Sequence, residues 1–278
     1  MSKVFFGIIF TFLACHDIQC QYKLIMNNDI EQAYKDISEL KMASGLQKID
    51  HIKKTDPNNA MVYYIENYVD FFTLFIQEDE ALYKKLLKNK DIRLRKIKAS
   101  NPESPYYLFC QAEIILQWAT IKLKFDEKIS AAKDVYQAYK LLEENKKAFP
   151  NFIENNKSLS IIHALAESVP SWIRTFMGIK GSVALGTKEI SALVTRANAD
   201  GSIFKNEIIA IYSYILFYSN NKKEEAFKLY DTYKLNHKEN ILIAFLKSTM
   251  AHKTGRNDLA LKILDERPKG KEYLPFYY

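Results

Sequence analysis

Apolar residues recur along most of this chain at intervals of three and four, the period of helices with a buried face. After Asn28-Asp29, which caps a helix start, Ile30, Ala33, Tyr34, Ile37 and Leu40 predict a helix through Lys41. A second helix, about Ser44 to Lys54, runs into Thr55-Asp56-Pro57-Asn58-Asn59-Ala60. There proline ends one helix and asparagine caps the next. Met61 to Ile76 is apolar nearly all round and rich in Tyr and Phe, so it should be buried on more than one side. Glu78 to Lys98 is charged, with Leu82, Leu86 and Leu87 on one face. Asn101-Pro102-Glu103-Ser104-Pro105 then breaks the chain before its longest hairpin, Tyr106 to Phe125 and Glu127 to Ala148. Asn151 to Val169 is a less regular helical stretch, and Pro170-Ser171-Trp172-Ile173 opens another helix. Gly178-Ile179-Lys180-Gly181 turns into a helix over Ser182 to Ala197, which Asp200-Gly201 ends. Lys271 to Tyr278 has the pattern of a further helix's first turns, which leaves that end of the chain without a polar capping helix. Alternating strand patterns with Asn-Gly or Asp-Gly turns are absent, so the pattern predicts an all-α chain.

Between Phe204 and Pro268 one hairpin is written twice. Asn221-Lys222-Lys223-Glu224-Glu225-Ala226 aligns with Gly255-Arg256-Asn257-Asp258-Leu259-Ala260, a polar turn entering a helix in each case. Ala226 and Ala260 lie 34 residues apart, and the same register pairs Phe227 with Leu261 and Tyr230 with Leu264. Small residues at such positions let two helices approach closely. Ala131 takes this place in the longest hairpin, with Ala138 later on its own helix and Trp118-Ala119 on the preceding one.

Through Ala226, Phe227, Tyr230, Ser248, Gly255, Ala260 and Leu264, the chain resembles the tetratricopeptide-repeat superfamily. The resemblance is clear over Phe204 to Pro268 and weak over Asp29 to Pro150, and the first-helix tryptophan and tyrosine of the family are replaced. It implies an α-solenoid of antiparallel helix hairpins over residues 21–278, wound into a right-handed superhelix, with its clearest repeats at 204–268. Such arrays bind peptides or proteins on a concave face lined by first helices, without catalysis or cofactor. Carried over by register, that face includes Glu113, Thr120, Lys124, Tyr218, Phe245, Thr249, His252 and Lys253.

Residues 1–20 stand apart. Lys3 precedes an uncharged apolar run, Val4 to Ala14, then Cys15, His16, Asp17 and Cys20. As a helix that run spans only about 16 Å against roughly 30 Å of hydrocarbon, too short to cross a membrane and of the form of a secretory leader. Cleavage near Gln21 is the favoured expectation. Leu13-Ala14-Cys15 also resembles the end of a bacterial lipobox, so lipidation of Cys15 and attachment to a membrane is the alternative. Cys110 is then the one cysteine of the mature chain, and its apolar surroundings predict a buried structural thiol.

The formal charge of +7 comes from 40 basic and 33 acidic residues interleaved, which favours solubility and does not point to nucleic acid. The basic run Lys84, Lys85, Lys88, Lys90, Arg93, Arg95, Lys96, Lys98 reads first as a solvated helix face and second as a surface for anionic partners. Gly181 to Lys188 is the nearest approach to a phosphate loop, but its lysine is one place late and no strand precedes it. The five histidines are scattered without metal spacing, and no nucleophile motif is present, so no metal or catalytic residue is expected. Glu143-Glu144 and Glu224-Glu225 read as surface pairs, and the aromatic runs Tyr63 to Phe75 and Tyr212 to Tyr218 as interior packing. The expected function is an exported scaffold for protein interaction in a bacterial envelope or periplasm. Its rival is a lipid- or glycan-binding carrier or enzyme with an aromatic interior, which requires a deep pocket with convergent polar groups rather than an open groove.

Overall fold

Helix starts follow the local side chains. Asn27, Asp79, Ser182 and Asn240 each accept a hydrogen bond from the backbone N–H three residues on, satisfying a donor that the first helical turn leaves orphaned. In the computed structural model, which describes residues 22–169 and 178–274, this gives twelve α-helices and, among the described residues, no strand beyond two isolated bridges. They are α1 (Asn28–Ser38), α2 (Met42–Thr55), α3 (Met61–Gln77), α4 (Glu80–Lys98), α5 (Tyr106–Lys124), α6 (Lys128–Ala148) and α7 (Asn155–Leu165). After α7 and a short 3-10 turn come α8 (Val183–Asp200), α9 (Lys205–Tyr214), α10 (Lys223–Thr232), α11 (Ile241–Lys253) and α12 (Asn257–Glu266). The chain is an all-α array of packed neighbouring helices, as the periodicity predicts. The leader 1–20, with Cys15, and the predicted helix start at Pro170 to Ile173 lie outside the described residues.

One turn recurs at four hairpins. Leu40, Asp126, Asn221 and Gly255 all have left-handed backbones, with φ of 62°, 62°, 55° and 77°. Five residues after each stands a buried small residue: Gly45, Ala131, Ala226 or Ala260. In three of the turns an N–H reaches back five residues, Lys41 to Asp36 O (2.8 Å), Glu127 to Lys122 O and Arg256 to Ala251 O (both 2.9 Å), which satisfies a carbonyl at the helix end. Before Asn221 the bond spans six residues, Lys222 N to Leu216 O at 2.8 Å, because Ile215–Ser219 forms a π-turn that inserts one residue. The small residue matters for spacing. A Cβ on Gly45 would stand 2.5 Å from Ile37 Cγ1.

Gly181 and Gly186 serve the same purpose between α7 and α8. A Cβ on Gly181 would lie 2.7 Å from His163 Cα, and one on Gly186 would lie 2.7 Å from Ala164 Cβ. The glycines of the phosphate-loop-like segment are therefore contact points for a helix crossing.

Helix α3 packs against α1, α2, α4 and α5, which accounts for its nearly continuous apolar surface. Around it lies an aromatic centre of Tyr34, Tyr64, Tyr68, Phe109 and Phe204, all buried, with neighbouring ring centroids 5.1–6.5 Å apart. Phe204, which immediately precedes α9, thus meets Tyr34 of α1 across most of the chain's length.

Of the helix expected over Lys271 to Tyr278, residues 275–278 lie outside the described residues and residues 271–274 are not helical. Residues 271–273 form turn and bend, and Glu272 and Leu274 bond to the first hairpin. Leu274 N donates to Leu40 O (2.9 Å), Ala43 N donates to Glu272 O (3.2 Å), and Leu274 is buried. Pairing with the α1–α2 turn replaces the pairing with its own fourth neighbour that a helix needs.

Candidate functional site: an apolar chamber with a charged end

The α5–α6 hairpin diverges from α7 enough to leave a chamber of about 470 Å³. Helix α5 lines it with Glu113, Leu116, Gln117, Thr120 and Leu123, a stripe at spacings of three and four. Ala131, Ala132 and Val135 of α6 and Ile161, Ile162 and Leu165 of α7 supply facing stripes. Small residues on α6 opposite branched ones on α7 keep the space open and its wall mainly hydrocarbon.

Polar groups converge at one end, where Glu113, Ser158 and Glu207 reach the chamber. Next to them Lys157 is fully buried, its Nζ 2.6 Å from Glu113 Oε2, 2.8 Å from Glu207 Oε1 and 3.2 Å from Tyr68 OH. Ser158 Oγ donates to the other Glu113 oxygen. Tyr34 and Tyr68 donate to Glu207 Oε2 at 2.8 and 3.0 Å, and Tyr64 and Tyr68 share a hydrogen bond at 2.9 Å. The Lys157 ammonium also faces Phe204, 5.0 Å from the ring centroid. A buried cation is tolerable only when paired, and here every donor of Lys157 has an acceptor.

Burial shapes the ionisation of these groups. It pushes the Glu113 carboxyl above the usual glutamate range, against the opposing pull of Lys157. For Lys157 burial acts to lower the pKa, but the Glu113 and Glu207 carboxylates outweigh it and hold the ammonium above the ordinary lysine value. Burial and then the Glu207 charge raise the phenols of Tyr34 and Tyr68 well above theirs, so both remain hydrogen-bond donors.

A second polar layer supports the wall from the α3–α4 side. Arg93 Nη1 donates to Asp70 Oδ2 (2.6 Å) and Asn67 Oδ1 (3.1 Å), and Trp118 Nε1 donates to the same Asn67 oxygen (3.0 Å). Asn67 Nδ2 in turn donates to Gln117 Oε1 at 2.6 Å. This fixes the Gln117 amide and leaves its buried Nε2 without a partner.

No protein-family model, curated protein or solved structure matches this chain. The site is therefore read from its own chemistry.

The residues assigned to a concave face separate into two places. Glu113 is buried rather than on an open face, and with Thr120 it lines the chamber. Lys124 sits at the outer end of α5, ion-paired with Glu78 and 4.3 Å from the Phe75 ring centroid. Tyr218 is exposed beside Tyr214, with ring centroids 4.7 Å apart, and Lys253 Nζ lies 6.0 Å from the Tyr218 ring. His252 Nδ1 contacts Asn257 Oδ1 at 2.9 Å, while Phe245 and Thr249 on α11 are half-buried. Lys157, Glu207, Tyr34 and Tyr68 carry no familiar motif. Their one signal is polarity within an apolar stripe: Lys157 shares a helix face with Ile161 and Ala164, and Glu207 stands between Phe204 and Ile211.

The basic run on α4 is in part an internal feature. Arg93 is buried on Asp70, Lys90 and Lys122 both reach Asp134 Oδ2 (2.7 and 2.8 Å), and Lys96 donates to Tyr22 OH at 2.6 Å. Lys85, Lys88, Arg95 and Lys98 remain exposed. Cys110 is buried beside Met61, with its thiol pKa pushed well up by burial, in keeping with a structural role.

Proposed function

We propose that this protein is a helical binding protein for an apolar small molecule, held in the chamber between α5, α6, α7 and α9. The observation that carries this is a mainly hydrocarbon cavity of about 470 Å³ onto one end of which Glu113, Ser158 and Glu207 converge. That volume falls within the roughly 300–1,000 Å³ typical of small-molecule sites, which combine an apolar body with a few fixed polar groups. Ligand binding rather than catalysis is the role proposed. The test is fluorescence of a neutral solvatochromic dye titrated with the chain. Saturable enhancement is expected, and Ala132→Trp, which fills the wall of α6, should abolish it while the far-ultraviolet circular dichroism stays unchanged. Equal dye binding by both proteins would refute the assignment.

A second reading, a tetratricopeptide-like scaffold, is favoured by the exposed pair Tyr214 and Tyr218 beside Lys253. Both readings are proposed for an exported chain on the strength of the leader. Mass spectrometry of the protein from its native host checks this: an intact Met1 would overturn export, and a lipid mass on Cys15 would select the anchored form.

A further inference from the structure

Helix α4 divides its charges by face. Those turned inward are paired, Lys90 with Asp134 at 2.7 Å and Arg93 with Asp70 at 2.6 Å, as a buried cation must be. Turned outward are Lys85, Lys88, Arg95 and Lys98, which are exposed and have no side-chain partner among the described residues. Besides the exposed pair Lys84–Glu80 (2.6 Å), the one acid on this arc is Asp91. A formal excess of three positive charges therefore runs along about 20 Å of helix and remains available to a partner's anions.

Two further observations say what those anions belong to. Leu87 and Ile92 stand on the same exposed arc, aliphatic side chains among the cations, which is the composition of a helix lying in a lipid headgroup layer. Tyr83, the one aromatic residue of α4, is buried, so nothing on the arc offers a ring for a base to stack on. The start of the described chain is fastened to the C-terminal end of α4. Tyr22 N donates to Ala99 O (3.3 Å), and the Tyr22 hydroxyl accepts from Lys96 (2.6 Å). In the form anchored through Cys15, seven residues, at most about 25 Å of chain, would separate the lipid from Tyr22. That reach brings Arg95 and Lys98 to the headgroups.

We propose that the outer face of α4 docks the protein on an anionic phospholipid surface. Lys85, Lys88, Arg95 and Lys98 meet the headgroup phosphates, with Leu87 and Ile92 against the lipid between them. This surface is separate from the chamber and does not depend on the chamber's ligand.

Sedimentation of the whole chain with phosphatidylcholine vesicles, with and without an equal part of phosphatidylglycerol, tests this. Binding should favour the anionic vesicles and weaken as salt is raised. The ratio between the two vesicle types cancels any contribution of the apolar leader, which is common to both. Lys88→Gln/Arg95→Gln should lower that ratio by about fivefold for each cation removed. Lys133→Gln/Lys147→Gln, which removes the same charge from exposed positions on α6, should lower it far less. Equal binding to both vesicle types would overturn the proposal, as would an equal loss in the two double variants, the mark of net charge alone. Tighter binding to duplex DNA than to anionic vesicles, lost in Lys88→Gln/Arg95→Gln, would give the face to nucleic acid and overturn it too. Failure of the neutral dye to bind would remove the chamber's ligand and leave this face standing.

Discussion

Lys157 shows how much a single side chain can hold in place. It joins α5, α9 and, through Tyr68, α3 by way of one buried nitrogen. Lys157→Met would leave the buried Glu113 and the half-buried Glu207 without their cation, an imbalance that costs about 3–5 kcal/mol when one partner of a buried pair is removed. Urea unfolding should show that loss, and a loss below about 1 kcal/mol would mean that water reaches the triad. Glu113 makes a separate prediction through pH. Its pKa is raised in the fold, chiefly by burial, so its contribution to stability is fully present below the unfolded value of about 4.5 and is lost as pH rises through the folded value. Glu189 has the opposite sign. Burial raises its pKa, but His163, 2.6 Å away, and Lys146 outweigh this and hold it low, so its contribution is lost as pH falls through the folded value. Comparing melting temperatures of wild type and Glu113→Gln across acid and neutral pH isolates the first term. The wild type should gain relative to the variant as pH falls, and parallel curves would contradict a raised Glu113 pKa.

At the scale of the element, two kinds of glycine do different work. Gly255 has open space where a Cβ would go but a φ of +77°, whereas Gly186 is crowded by Ser160 and Ala164 of α7. Gly255→Asn should be nearly neutral, because Asn221 holds the same left-handed place in the preceding hairpin. Gly186→Val should cost about 1–3 kcal/mol through overpacking at the α7–α8 crossing. Thermal melts of the two variants distinguish a backbone requirement from a space requirement. The sequence already marked Ala226, Ala260 and Ala131 as close-packing positions, since each follows a polar turn at a fixed distance. It did not mark Gly45, because Leu40 occupies the left-handed place there and nothing about leucine signals a turn. Glu113 and Thr120 were legible, through the repeat register, only as positions on one face of α5, expected to be open and concave. That they line a chamber was not, since helical spacing fixes which residues share a face and leaves open what stands across from it.

Across the whole molecule, segments far apart in sequence meet. Leu274 bonds to Leu40, Glu272 to Ala43, and Glu207 and Phe204 close on Tyr34. Removing residues 268–278 should therefore loosen the α1–α2 turn. Faster hydrogen exchange is expected at Ala43, with the amides of α11 unchanged, and equal protection at Ala43 would show that the contact is dispensable. Periodicity, caps and turn residues by themselves determined that the chain is all-α, where most helices begin and end, and which faces turn inward, because those are local properties of the backbone and its nearest side chains. Tertiary structure alone decided that Lys157, Glu113 and Glu207 form one charged group and that a cavity opens beside it. It also bound residues 271–274 to the first hairpin instead of starting a helix there. Those outcomes depend on which helix faces which across 44 to 234 residues of sequence, from Lys157–Glu113 to Leu40–Leu274, and side chains so far apart leave no mark on each other's local pattern.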